Sequence, residues 1–236
     1  MAVLPIVRLD FDPVELAITI ILLVISLGIH EAAHGWVALK CGDTTARDLG
    51  RITLNPIPHI DLFMTILLPA MLYIGSGGRM IFGGAKPVPV SFHRLRHPWR
   101  DMSFVAIAGP LSNLLLALFF MVAFKFFVRT GYYNGASEVG ARLDDFLPRV
   151  LLQAVSFNAI LAIFNLVPIP PLDGSRVMAW LLPESLRPGY VSLERFGMLV
   201  IFGLLYLSTS FNRYLFEARG GLVDFLYNVI PFDARL

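Results

Sequence analysis

Residues 14–39 form a long apolar run, and its second half carries three ionisable side chains, His30, Glu31 and His34. A run of that length suits a helix crossing the roughly 30 Å hydrocarbon layer of a bilayer. From residue 16 to residue 27 only Thr19 and Ser26 are polar. Ionisable groups at such depth are expensive and mark function by default. On a helix, positions four apart share a face, so the two imidazoles can grip one metal ion. Glu31 follows the first of them and reaches a water on that ion, the general-base arrangement of the H-E-x-x-H motif. A chance match to a five-letter pattern, or a hydrogen-bonded polar patch between helices, is the competing reading of the motif alone.

Composition supports the membrane setting. The chain of 236 residues is 56% apolar and 15% charged, with a mean hydropathy of +0.70. Soluble domains average about 25% charged residues. The expected fold is an all-α membrane protein, a polytopic helix bundle of about five to six membrane segments. A short extended or re-entrant region is expected between its first and third segments. A formal net charge of +2 gives no electrostatic footprint for nucleic acid. The single cysteine, Cys41, rules out an internal disulfide and any multi-cysteine metal site. Asp10 and Asp12 before the first apolar run, and Glu15 at its start, stand where a cleavable signal peptide would carry basic residues.

The first helix is expected to stop at Lys40-Cys41-Gly42-Asp43. A polar loop follows, containing Arg47, Asp48, Arg51 and the run Asn55-Pro56-Ile57-Pro58-His59-Ile60-Asp61. Residues 62–74 are apolar but short for a span and interrupted by Pro69. Residues 75–100 are rich in glycine and proline and carry Arg79, Lys86, Arg94, Arg96 and Arg100. Within them Lys86-Pro87-Val88-Pro89-Val90 reads as extended chain. Further spans are expected over 102–128, entered by Gly109-Pro110, over 150–167, and over 191–207. A polar connection falls at 129–149, and the interrupted apolar stretch 222–230 is expected to lie in the interface. Both basic loops favour the cytoplasmic side. In that case 62–74 re-enters or stays shallow, which backbone at membrane depth tolerates beside protein or a wet cavity.

Two histidines do not complete a catalytic zinc site; three protein ligands and a water are typical. His59, His93 and His97 all lie in loops. Arg94 and Arg96 flank the His93/His97 pair, so cation repulsion makes it a poor site and it reads as a basic surface loop. His59 reads as structural, pairing with Asp61 or a backbone carbonyl, with an alternate ligand role as the competing view. Asp173 lies where an apolar span breaks at Pro168-Ile169-Pro170-Pro171-Leu172-Asp173-Gly174. Broken helices in membranes are where ions are coordinated. An N-cap for 175–182 is the equal alternative at this point.

His30-Glu31-x-x-His34, then Gly109-Pro110-x-x-Asn113 opening a later span, then Asn165-x-x-Pro168-x-Pro170-x-Leu172-Asp173-Gly174 ending the next, resemble the site-2 protease family of intramembrane zinc metalloproteases. The likeness covers about 14–182 and suggests a short, bare-core prokaryotic type without PDZ or CBS domain, folded as one domain over 1–236 with C-terminal spans and a tail after 182. It implies one zinc ion per chain, held by His30, His34 and Asp173, with Glu31 as general base. It also implies a multi-pass protein of the inner or cytoplasmic membrane whose active site opens to the cytoplasm. The expected partners are the lipid bilayer and a membrane-protein substrate with a transmembrane segment. Asn165 and Asn113 are candidates for holding substrate or stabilising an oxyanion, against a plain helix-bridging role. Lys86, Val88 and Val90 form a candidate strand for pairing with unwound substrate. The alternatives are a protease of prenylated proteins, a metal-dependent transporter, or a silent scaffold. The first would need a distant helical glutamate, the second inverted repeats, and the third would be expected to lack Glu31.

Overall fold

A computed structural model describes residues 13–75, 83–129 and 146–231. The acidic N-terminal stretch, Arg79 and most of the expected polar connection, 130–145, lie outside them. Among the described residues all regular structure is helical. The long elements are α1 (Pro13–Lys40), α4 (Pro98–Arg129) and α5 (Phe146–Asn165), with the short α2 (Thr45–Asp48) and α3 (Leu68–Gly75) between the first two. After them come α6 (Asp173–Leu181), α7 (Arg187–Ser192), α8 (Glu194–Leu207) and α9 (Thr209–Val229).

Helices α1, α4 and α5 are long and apolar enough to cross a membrane. Helices α8 and α9 join them only if counted together as one bent span, for they meet at 86°. That makes three spans, or four, where composition suggests five or six. The expected span over 191–207 breaks at Leu193, and its helical part, Glu194–Leu207, rises only about 21 Å. Ser208 then starts α9 by accepting a hydrogen bond from the Phe211 amide, 3.2 Å. The interfacial tail expected over 222–230 is thus the last part of a 21-residue helix, which ends at Val229.

Gly109-Pro110 does not open its span. Helix α4 begins at Pro98, where a missing N–H is harmless, and the Asp101 carboxylate accepts from the His97 amide to cap the start. Pro110 sits inside the helix.

The central helix is α4, packed against α1, α5 and α6. Its outward face carries Phe104, Ile107, Leu111, Leu115, Leu118 and Val122 at helical spacing, all exposed. Such a stripe is intelligible in lipid and not in water. On α5 the opposite pattern holds. Leu151, Ala154, Val155, Asn158, Ala159 and Ala162 form a buried stripe, and its small residues let α4 and α5 approach closely. At the far end of α4 the buried Lys125 ammonium donates to the carbonyls of Tyr227 and Ile230. It thereby caps α9, whose last carbonyls lack helical partners.

Between α1 and α4 the chain makes an excursion. Residues Leu62–Leu67 form a π-helical turn leading into α3, capped by Asp61 at the Met64 amide, 2.7 Å. The apolar helix Leu62–Gly75 is too short to span. The two basic loops on either side of it meet. The Arg96 amide donates to the Cys41 carbonyl (3.1 Å), the Arg51 guanidinium to the Lys86 carbonyl (2.8 Å), and the Ser91 amide to Asp43 (2.6 Å). The excursion therefore leaves and returns at one end of the bundle.

Candidate metal centre

Helix α1 places His30 and His34 one turn apart, and both rings are buried against α4. Each uses its Nδ1 away from the centre. His30 Nδ1 bonds Asn113 Oδ1 at 2.5 Å, and His34 Nδ1 bonds the Val105 carbonyl at 2.7 Å. Since a carbonyl oxygen only accepts, both rings carry a proton on Nδ1, which leaves the inward-facing Nε2 as the atom that can offer a lone pair to a metal.

The two Nε2 atoms lie 3.0 Å apart. Asp173 closes the triangle, with Oδ2 3.2 Å from His30 Nε2 and Oδ1 3.4 Å from His34 Nε2. Asp173 is the first residue of α6, not its cap. The N-cap is Leu172, and no side chain caps that helix. Its Oδ2 is buried with no hydrogen-bond donor. Once free of protons, three such lone pairs facing one another repel unless a cation sits among them. Tetrahedral zinc with bonds of about 2.0–2.1 Å has edges of about 3.3 Å, and the three separations bracket that figure. The donor set and its spacing fit zinc. Among the described residues it is the sole cluster of three or more such side chains close enough to hold a metal.

Two glycines make the convergence possible. A Cβ on Gly109 would come within 2.5 Å of both imidazoles, so α4 reaches the histidines only where it has no side chain. A Cβ on Gly174 would collide with the carbonyls of Leu166 and Val167. Without one, the end of α5 folds back far enough to bring Asp173 home.

Glu31 stands beside this centre, and its Oε2 accepts from the Val88 amide at 2.6 Å. Two cavities of about 660 and 620 Å³ meet at His30, Glu31, Asn165, Pro171 and Leu172. The larger runs between α1 and α5 past Leu23, Phe157 and Phe164. The smaller is lined by His34, Asp173, Val88, Val90 and Arg176.

The other sequence candidates are spread more widely. Asn165 is half-buried at both cavities, with its amide on the Leu161 carbonyl of its own helix (3.0 Å). Asn113 is fully buried behind His30, lining neither cavity. Residues 83–90 are neither helix nor strand. There the Lys86 amide donates to the His59 carbonyl at 2.9 Å, and Val88 is buried while Lys86 is exposed. His59 is buried, with Nε2 3.2 Å from the Thr53 carbonyl, and stands apart from the metal cluster. His93 stacks edge-on against Phe92 in the basic loop.

Two residues had escaped the sequence reading. Asp43, taken only as part of a helix stop, is buried and ties the α1 loop to residue 91. Burial pushes its carboxyl up, but the Thr45 hydroxyl and the amides of Ser91 and Thr45 outweigh this and hold it below the ordinary range. Asn158, fully buried on α5, accepts from the Asn113 amide at 2.9 Å. Its signal was one amide in an otherwise apolar stripe.

Comparison with known proteins gives the same chemistry. The sequence matches the profile of Peptidase family M50 over residues 18–147 and 131–208. It is 38% identical to YwhC of Bacillus subtilis (strain 168) over 196 residues, covering 83% of this chain and 82% of that protein, which carries the name of a zinc metalloprotease. Rip2 of Mycobacterium tuberculosis (strain ATCC 25618 / H37Rv), named likewise, is 28% identical over 221 residues, covering 90% of this chain and 73% of its own. A regulator of sigma E protease from Haemophilus influenzae is 30% identical over 106 residues, 42% of this chain and 23% of its own. No solved structure matches. The class is therefore that of zinc metalloproteases built on membrane-spanning helices. Within it, the chain belongs to peptidase family M50, the site-2 proteases.

Proposed function

We propose that the protein is an intramembrane endopeptidase that hydrolyses peptide bonds in or near transmembrane segments of membrane proteins. The observation that carries this reading is the convergence of His30, His34 and Asp173 beside Glu31, within apolar helices and at the junction of two cavities. Along α1, His34 and His30 stand about 9 and 15 Å from Lys40 at 1.5 Å per residue. Lys40 lies over exposed Trp36, a pairing suited to a membrane interface. That depth supports cleavage inside the bilayer but close to one face. The shared position of the two basic loops supports the cytoplasmic face of the inner or cytoplasmic membrane. The whole chain acts as one domain in this reading, with its core over 14–182.

His30, His34 and Asp173 would hold the zinc. Bound there, the ion supplies Lewis-acid chemistry, acidifying water toward a pKa of about 7 and polarising the scissile carbonyl. Glu31 Oε1 takes the proton of the attacking water and delivers it to the leaving amine. The Val88 amide holds Oε2 and so leaves Oε1 as the working atom. Asn165, at the cavity junction, supports the substrate carbonyl as charge develops. Asn113 acts from behind, on His30. The larger, mostly apolar cavity receives the substrate's membrane segment, and the segment carrying Lys86, Val88 and Val90 lies alongside the unwound chain.

The test is zinc content and cleavage of a single-span reporter in liposomes for wild type, Glu31→Gln and Asp173→Ala. About one zinc per chain, cleavage by wild type, and metal retained but turnover reduced at least about 100-fold in Glu31→Gln are expected. Asp173→Ala should lose the metal. Undiminished cleavage by Glu31→Gln would remove the base from this mechanism, and a wild type that binds zinc but cuts no membrane substrate would favour a silent scaffold.

A further inference from the structure

We propose that Asn158 is a positioning residue for His30, acting through Asn113 to select the imidazole tautomer that can bind metal; this rests on His30 being a zinc ligand. The three side chains form a chain with one sense. Asn158 Nδ2 donates to the Ala154 carbonyl on its own helix at 2.9 Å. That bond turns Asn158 Oδ1 toward α4, where it accepts from Asn113 Nδ2 at 2.9 Å. Asn113 Oδ1 is thereby turned toward His30 Nδ1, 2.5 Å away. An acceptor at Nδ1 requires the proton there, so Nε2 keeps its lone pair for the cluster.

His34 shows why His30 needs the extra link. Its Nδ1 partner is the Val105 carbonyl, a backbone group inside α4 that cannot rotate. The partner of His30 is a primary amide, and rotating it by half a turn presents NH₂ to Nδ1 instead of oxygen. An NH₂ there stabilises the opposite tautomer, with hydrogen on Nε2 and no lone pair for metal. Asn158 removes that freedom. Both asparagines are fully buried, so no solvent competes for the bonds. A buried amide in an alanine-rich seam is retained at a cost unless it is bonded. Here the donors run in one direction, from His30 through Asn113 and Asn158 to the Ala154 carbonyl, and end on the backbone of α5.

The experiment measures zinc affinity of the full chain by chelator competition, for wild type, Asn158→Ala, Asn158→Ser, Asn113→Ala and the Asn113→Ala/Asn158→Ser pair. A serine hydroxyl can bond the carbonyl four residues back, so Asn158→Ser keeps the link to Ala154 but stops short of Asn113. Affinity about 10–100-fold weaker is expected in both Asn158 variants, the usual scale for an outer partner of a ligating histidine. The double variant should bind no more weakly than Asn113→Ala alone. If Asn158→Ala fails to fold, Asn158→Ser decides. Affinity within about twofold of wild type in Asn158→Ser, or losses that add in the double variant, would overturn the relay while leaving the zinc centre in place. Wild type without zinc affinity would remove both.

Discussion

The two sides of the site are built from different material. Around His30, His34 and Asp173 the constraints come mostly from helices: imidazoles one turn apart on α1, partners on α4, a carboxylate at the start of α6. Around Glu31 the constraint is a loop, whose Val88 amide holds the carboxylate. That loop is held in turn by His59, Arg51 and Asp43. The metal side gains rigidity from close-packed apolar helices. The base side depends on a few polar bonds between loops, and these open more readily. In the proposed reading, a site divided this way holds its ion steadily while the wall beside Glu31 admits a peptide.

The contrast can be broken first at Gly109. Gly109→Ala puts a methyl where the imidazoles stand, and zinc affinity should fall about 100-fold by chelator competition. A variant that retains wild-type affinity would mean that α4 is not the rigid wall described here. On the other side, Val88→Pro deletes the amide on Glu31 while leaving every metal partner in place. Turnover of a single-span reporter should drop about 10–100-fold, the scale of a misplaced catalytic group, with zinc content unchanged. Equal loss of both would merge the two sides into one unit.

The smallest effect is expected at Asp43, and it depends on pH. Its carboxyl titrates below the ordinary range in the folded protein. Its contribution is therefore complete above the unfolded value near 4 and fades as pH falls through the lower folded one. At pH 7, Asp43→Asn should lower stability by about 1–3 kcal/mol. The gap in Tm between wild type and this variant should narrow as pH falls below the unfolded value near 4. A gap independent of pH would show that packing, and not charge, holds the loop.

The same division governs what could be read in advance. Helical phase is local, so His30, Glu31 and His34 declare themselves in five residues. The excursion over Leu62–Gly75 was legible as too short to span, because length alone decides it. Gly109-Pro110 misled about where α4 begins, since proline tends to mark helix starts, whereas here it is carried inside a packed membrane helix. The Val88–Glu31 contact joins residues 57 apart in sequence, and no periodicity encodes such a pairing. Asn113 was visible as a motif residue, but its direction was not. Whether it faces substrate or His30 depends on the rotation of α4 against α1. The bend between α8 and α9 falls at Ser208, the first residue of the polar run Ser208-Thr209-Ser210 that follows an apolar helix.

Prolines at 87 and 89 have no N–H to offer. The amides of Lys86 and Val88 are already engaged by His59 and Glu31. Over 86–89, therefore, every backbone donor is either missing or taken. Two such segments laid side by side would present oxygen to oxygen, so the same stretch that stands open beside the site is a poor template for self-association. In the proposed reading, a peptide drawn along it must bring its own amide hydrogens, as an unwound helix does and a folded one does not.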